Sequence, residues 1–232
     1  MPITDEKVGL NGLQQRLNRL LPRISLSRQA LPLVPQIRLW LLDELFPEQA
    51  LAPEVVNAIM EEPPYWSFCW ASGQVLARHL LANPQWVKGR CLVDVGPGSG
   101  VVAIAAALAG AERVIACDLD DDALAATALN AAENGVSIEL SQDLEAAMAV
   151  ADRLTAADIL YDRDNLPLLA RFQSVEQVLL ADSRIHDLDP PGYRLLGHWQ
   201  ASTWPDLGES TEYNNVRLFL SEPQGPSAGP KR

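Results

Sequence analysis

Basic residues are scarce in this chain. Its 232 residues carry 18 Lys and Arg against 30 Asp and Glu, a net charge of −12. A field of that sign argues against a surface built to hold nucleic-acid phosphates, and it attracts basic protein partners. Cysteine is equally thin. Cys69, Cys91 and Cys117 form no C-x-x-C pair, so no zinc site is readable, and Cys91 and Cys117 fall in apolar runs as buried thiols. His79, His186 and His198 have no partners at metal-ligand spacing, which leaves them as structural or surface residues. No apolar run reaches the length of a bilayer, and the N-terminus has no h-region. Internal repeats are absent. A soluble cytoplasmic protein is expected.

What the chain does have is Cys91-Leu92-Val93-Asp94-Val95-Gly96-Pro97-Gly98-Ser99-Gly100. A short apolar run ends in an acid and breaks into glycines at every second position. An Ala-rich helical pattern follows, then a second apolar run ending in Asp118. This is the layout of a nucleotide-binding β-turn-α-β unit. Glycines at 96, 98 and 100 let a ligand approach the backbone, and the helix start offers free N–H groups. Asp118 lies 18 residues past Gly100, where an acid can accept from ribose hydroxyls. The spacing is G-x-G-x-G, with Val101 where a dinucleotide site has its third glycine. Asp94, two residues ahead of Gly96, would repel a pyrophosphate and suits a cationic ligand. S-adenosylmethionine carries a ribose, an ammonium, a sulfonium and no phosphate, and is favoured over NAD. The competing readings are a glycine-rich turn with no ligand and an Asp94 that only caps the turn.

With 48 % hydrophobic residues, the length suits one α/β domain. Leu10, Leu13, Leu17, Leu20 and Leu21 recur at helical spacing. Further helical turns are expected at Gln36–Leu45 and Pro53–Met60, and a helix at Ser72–Leu81. Strands are expected at Arg90–Val95, Arg113–Asp118, Val136–Leu140, Arg153–Ala157, Gln177–Ala181, Tyr193–Trp199 and Val216–Leu220. Helices are expected at Gly100–Ala109, Asp121–Asn134 and Asn165–Phe172. The alternation predicts a Rossmann-like, seven-stranded, mostly parallel α/β sheet with helices on both faces. An N-terminal helical extension (1–62) precedes the main domain (63–221), and a Pro/Gly/Ser-rich tail (222–232) is expected to be disordered.

The glycine turn and its two acids resemble class I, seven-stranded S-adenosylmethionine-dependent methyltransferases. Pro64-Tyr65-Trp66-Ser67-Phe68-Cys69-Trp70-Ala71-Ser72-Gly73-Gln74 resembles the aromatic segment of the lysine methyltransferases acting on the electron transfer flavoprotein beta subunit. Asn83-Pro84, Gly89, Val34–Leu39 and Asp158-Ile159-Leu160-Tyr161-Asp162 are similar to that family too. The likeness runs over residues 33–182. Two departures stand out: Arg153–Ala157 is less apolar than the family's fourth strand, and Asp182-Ser183-Arg184 replaces a loop resembling Asp-Pro-Gly-Arg.

The resemblance implies a protein-lysine N-methyltransferase with S-adenosylmethionine as cofactor and no metal. Asp94, Gly96, Gly98 and Gly100 then hold the methionine end and Asp118 the ribose. Asp143, with Gln142 as its rival, meets the adenine, and Trp70 borders the cofactor or the substrate channel, as does Trp66. Asp158 and Tyr161 are the substrate-side pair, a carboxylate to orient the lysine ammonium and an aromatic wall beside it. Against these stand simpler readings: Trp66 and Trp70 as core, and Asp158, Asp162 and Asp164 as a solvated loop. Alternative acceptors are a ribosomal protein or a small amine. A non-catalytic binding module on the same fold is the remaining class.

Overall fold

The structure is a computed structural model describing residues 9–21, 24–43, 63–206 and 210–221. Helix α1 (Leu10–Leu20) leads into a hairpin of β1 (Leu26–Ala30) and β2 (Arg38–Leu42). After α2 (Ala71–Ala82) the alternation begins: β3 (Cys91–Val95), α3 (Val101–Leu108), β4 (Arg113–Cys117), α4 (Asp121–Glu133), β5 (Glu139–Ser141), α5 (Leu144–Val150), β6 (Arg153–Ala157), α6 (Leu168–Phe172) and β7 (Gln177–Asp182). Strands β8 (Tyr193–Gln200) and β9 (Asn215–Ser221) close the chain's sheet.

Seven strands lie in the order β5-β4-β3-β6-β7-β9-β8. Only β9 runs against its neighbours; the other pairs are parallel. This is the expected mostly parallel Rossmann-like sheet. Chain order reverses between β3 and β6, and the crevice outside the carboxyl ends of such a pair is where ligands bind. Helix α3 is buried from Val101 to Ala106. Its small residues let α2 close in on it, and a Cβ on Gly73 would stand 3.0 Å from Val101 Cγ1.

Within the segment expected to be a helical turn at Gln36–Leu45, Arg38–Leu42 is instead strand β2, and residues 44 and 45 lie outside the described residues. Its burial alternates at the start, with Leu39 inside between exposed Arg38 and half-buried Trp40, a period of two that tertiary pairing with β1 satisfies. The third strand starts at Glu139, three residues later than expected. Gly135 and Val136 are consumed in closing α4, donating to the carbonyls of Ala132 and Ala131 in a Schellman-type cap. Helix α5 was not anticipated, and the expected helix at Asn165–Phe172 is shortened to α6. The expected helix at Pro53–Met60 and the tail from 222 lie outside the described residues.

Leu13 and Leu17 of α1 pack with Trp66, Phe68 and the alanines of α4. Asn130 of α4 and its C-cap Asn134 stitch the hairpin to the main domain. Asn130 accepts from the Trp40 amide at 2.7 Å and donates to the Ser99 carbonyl at 2.9 Å. Asn134 accepts from the Arg38 amide and donates to the Arg38 carbonyl. The N-terminal segment therefore braces the glycine turn through Asn130. Among the described residues no helix is long and apolar enough to cross a membrane.

Candidate active site

Asp94, at the carboxyl end of β3, pairs in register with Thr155 of β6. Thr155 Oγ1 donates to Asp94 Oδ1 at 2.8 Å, and the Ala103 amide donates to Oδ2 at 3.1 Å. Ala103 lies in the first turn of α3, so the carboxylate faces a helix N-terminus, where an anion is stabilised. Asp94 is only 1 % exposed. Burial pushes its carboxyl up to about 7, against the pull of the Thr155 and Ala103 donors, and the Asp118 charge pushes the same way as burial. The helix-capping role is thus real, and the same buried carboxylate lines a crevice with Trp70, Gly96, Gly98 and Ala157.

The three glycines are not equivalent. All have positive φ, +66° at Gly96, +52° at Gly98 and +84° at Gly100. A Cβ on Gly96 would strike Ile159 at 2.8 Å, and one on Gly100 would meet the Thr127 backbone at 3.0 Å. Gly100 therefore packs closely against α4. A Cβ on Gly98 would meet nothing within 4 Å. The open space faces the crevice, as a cradle for a ligand requires.

Asp118 follows β4, where its amide donates to the Ser141 carbonyl at 3.1 Å. Its carboxylate accepts from the Asp120 amide at 3.1 Å. Burial raises its pKa, with the Asp120 amide the largest opposing influence. The Leu119 and Gly98 backbones pull the same way as the Asp120 amide, which places the acid beside the turn. Leu119 beside it is 85 % exposed, an apolar side chain held on a surface of acids.

Asp143 lies one strand further out. Its Oδ1 accepts from the Ala146 amide at 3.0 Å, which makes it the N-cap of α5. Asp143-Leu144-Glu145-Ala146 carries that N-cap signature in the sequence, at the residue expected to meet the adenine. Gln142 donates to Asp121 Oδ1 and the Leu119 carbonyl, so it closes the same end of the sheet.

Asp158 does not present an open carboxylate. It is 5 % exposed and left-handed, with φ +53°. Oδ1 accepts from Ser72 Oγ at 2.7 Å and from Ser183 N and Oγ, each at 2.9 Å, while Oδ2 accepts from Ser72 N at 3.2 Å. Ser72 stands at the start of α2, whose N-cap Trp70 offers no side-chain cap. Asp158 supplies that cap from a distant loop. Both of its oxygens are taken by these donors. Next to it Asp182, at the end of β7, pairs with Arg217 at 3.4 Å, and burial raises its carboxyl to about 6.

Tyr161 is 58 % exposed and its ring lies 4.9 Å from Tyr65. Tyr65 meets Trp70 edge-on at 5.6 Å. Partial burial first, then Tyr65 and the carboxylates of Asp118, Asp162 and Asp120, push the Tyr161 hydroxyl up. The loops after β4 and β6 thus meet at one acidic, aromatic mouth. Trp66, by contrast, is 3 % exposed and belongs to the core between α1 and α4.

Residues 80–162 match the family described as ribosomal protein L11 methyltransferase. The electron transfer flavoprotein beta subunit lysine methyltransferase of Xenopus laevis is 32 % identical over 199 residues, covering 81 % of this chain and 78 % of that protein. The Mus musculus protein of the same name is 38 % identical over 104 residues, 44 % of this chain. The chain spans only 41 % of that mouse relative's length. A solved Thermoplasma acidophilum structure is 16 % identical with a TM-score of 0.50, covering 66 % of this chain and 86 % of that one, and shows the same fold.

Proposed function

Since this chain belongs to the electron transfer flavoprotein beta subunit lysine methyltransferase family, we propose that it transfers a methyl group from S-adenosylmethionine to a lysine amine of a protein, with the electron transfer flavoprotein beta subunit as acceptor. One observation carries the reading: a buried carboxylate, Asp94, beside an open glycine cradle at the sheet's switch point. Residues 63–221 form the catalytic unit. The three free thiols and the acidic surface fit a cytoplasmic setting.

The residues present fit the cofactor. Asp94 would face its ammonium, Gly96 and Gly98 its methionine chain, Asp118 its ribose, and Leu119 a face of the purine. Asp143 and Gln142 stand at the adenine end. When bound, the cofactor supplies an electrophilic methyl on a sulfonium. The acceptor amine must be neutral and aligned with the departing sulfur. Asp158, with both oxygens occupied by donors, is not the base; it fixes Ser72 and Ser183 beside the crevice. The proton leaves to water at the mouth, where Tyr65 and Tyr161 flank the lysine stem and acids attract it. An acidic mouth suits a basic protein segment better than nucleic acid.

The match to the ribosomal protein L11 methyltransferase family covers residues 80–162, the donor half of the sheet, so it bears on the cofactor more than on the acceptor. The test is incubation of both purified acceptors, separately, with labelled cofactor, followed by mass spectrometry. Label on lysine of the beta subunit is expected. Label on the ribosomal protein alone, or on no protein, overturns the assignment.

A further inference from the structure

Helix α2 serves two cavities. Near its start, Gly73 is part of the crevice wall beside Asp94 and Gly98. Its far end lines a second cavity that shares no residue with the crevice. Arg78, His79 and the C-cap Asn83 stand on one side of it, with Leu33 from the loop of the β1–β2 hairpin and Trp199 of β8 on the other. The helix starts at the carboxyl edge of the sheet, where Ser72 meets Asp158, and ends at the amino edge, ahead of β3. The cavity measures about 210 Å³. That is below the roughly 300–1,000 Å³ of a drug-sized pocket, and it suits a molecule of one or two rings. Its polar groups point to one class of ligand. No carboxylate lines it, on a chain with a net charge of −12. Arg78 has no acid partner among the described residues. Burial lowers the pKa of His79, so its neutral ring offers an N–H. The His79 carbonyl at the negative end of the helix would repel an anion, but it already accepts from the Asn83 amide at 3.0 Å and from the Asn83 side chain at 2.9 Å. A Cβ on Gly197 would stand 3.1 Å from the Trp199 ring, so the absent side chain lets that ring lie along β8.

We propose that this cavity is a second ligand site, separate from the donor crevice, and that it takes a small organic anion: one carboxylate on a flat apolar body of one or two rings. The carboxylate pairs with Arg78, whose planar fork matches two carboxylate oxygens where a lysine offers only a point charge. The His79 ring gives it a further donor. The flat body stacks on Trp199 and meets Leu33 and Val75, which share the cavity wall. An anion is repelled by most of so acidic a surface, and the two basic side chains beside α2 make this cavity an exception. A neutral molecule of the same shape keeps the ring contacts and loses the charge-assisted bonds, so the site discriminates by charge. The site goes beyond the methyl-transfer reading and does not depend on it.

The experiment is a titration of the full chain with sodium naphthoate, followed through the His79 ring and Trp199 indole N–H signals by NMR, with the neutral analogue naphthylmethanol as control. Saturable binding of naphthoate with a Kd of about 1 mM or below is expected, the affinity that a ligand of this size reaches at ordinary efficiency. Naphthylmethanol should bind at least about tenfold more weakly, for want of the charge-assisted bonds. Arg78→Gln weakens naphthoate by a similar factor and leaves the neutral analogue unaffected, while Arg78→Lys falls between. Saturating S-adenosylmethionine leaves the naphthoate affinity unaltered. The proposal is overturned if naphthoate binds wild type no better than naphthylmethanol does, or not at all. It is overturned too if Arg78→Gln binds naphthoate as wild type does, or if S-adenosylmethionine displaces it, which would put the probe in the crevice. The two probes on wild type decide the matter even where a substituted chain fails to fold. No readout here measures methyl transfer, so failure of the function reading and failure of the second site are seen separately.

Discussion

Asp158 on the exit of β6 accepts the Ser72 hydroxyl at 2.7 Å, joining residues 86 apart in the chain. With Ser183 on the same carboxylate, three segments of the mouth depend on one buried acid: the start of α2, the turn after β6 and the loop after β7. The acid makes the aromatic segment 65–70 part of the site.

Removing that acid leaves buried amides and hydroxyls at Ser72 and Ser183 without partners. Asp158→Ala is expected to cost about 2–4 kcal/mol, since each orphaned buried donor costs roughly 1–3 kcal/mol. Urea unfolding measures it. Asp158→Asn keeps part of the network and should lose less. An Asp158→Ala variant as stable as wild type would show the network to be incidental.

Asp94 makes the site sensitive to pH. Its folded pKa of about 7 stands above its ordinary 3.8, so the folded state holds a proton that the unfolded chain gives up. Its contribution to stability is full below about pH 4 and is lost as pH rises to about 7, at about 1.4 kcal/mol per pH unit. Asp94→Asn, which cannot ionise, should gain stability relative to wild type between pH 5 and pH 8, read by thermal unfolding. A cationic ligand favours the ionised form, so cofactor affinity should fall about tenfold per pH unit below 7 in wild type and by less in the variant.

The glycines separate folding from binding. Gly98→Ala meets open space and pays only the left-handed backbone penalty of about 1–2 kcal/mol. It should fold and lose most cofactor affinity. Gly100→Ala presses on the Thr127 backbone and should lose stability more than Gly98→Ala does. Paired denaturation and binding curves check both; equal binding by Gly98→Ala and wild type would place the cofactor elsewhere.

Asn130 links the N-terminal hairpin to the glycine turn. Asn130→Ala strands a buried amide and carbonyl and is expected to cost about 2–3 kcal/mol, with weaker cofactor binding as the turn loosens. Hydrogen exchange at the turn amides reads the loosening. Unchanged exchange there would mean that the hairpin does not brace the turn.

The sheet was legible because β3, β4, β6 and β7 are short apolar runs separated by helical patterns, and the glycine turn marks the switch point. Thr155 and Arg153 blurred the fourth parallel strand, each for a traceable reason. Thr155 is polar because it holds Asp94. Arg153 is buried because it donates to the Trp86 carbonyl, packs on the Trp86 ring and pairs with Glu176. The β1–β2 hairpin escaped because its pairing partners are set by tertiary contacts with α4. Asp94 and Asp118 stand out by their spacing from the glycine turn alone. Asp158 was found by its position after a strand, but its role depends on Ser72 and Ser183, which no spacing rule connects. Leu119 carried no sequence signal that set it apart.

The central claim is that a buried carboxylate and a glycine cradle recognise a cationic methyl donor. Isothermal titration calorimetry with S-adenosylmethionine at pH 8, on wild type and Asp94→Asn, tests it most directly. One-to-one binding by wild type, weakened about tenfold to a hundredfold in the variant, is the predicted result for loss of a charged partner. No binding by wild type, or equal binding by both, would contradict it.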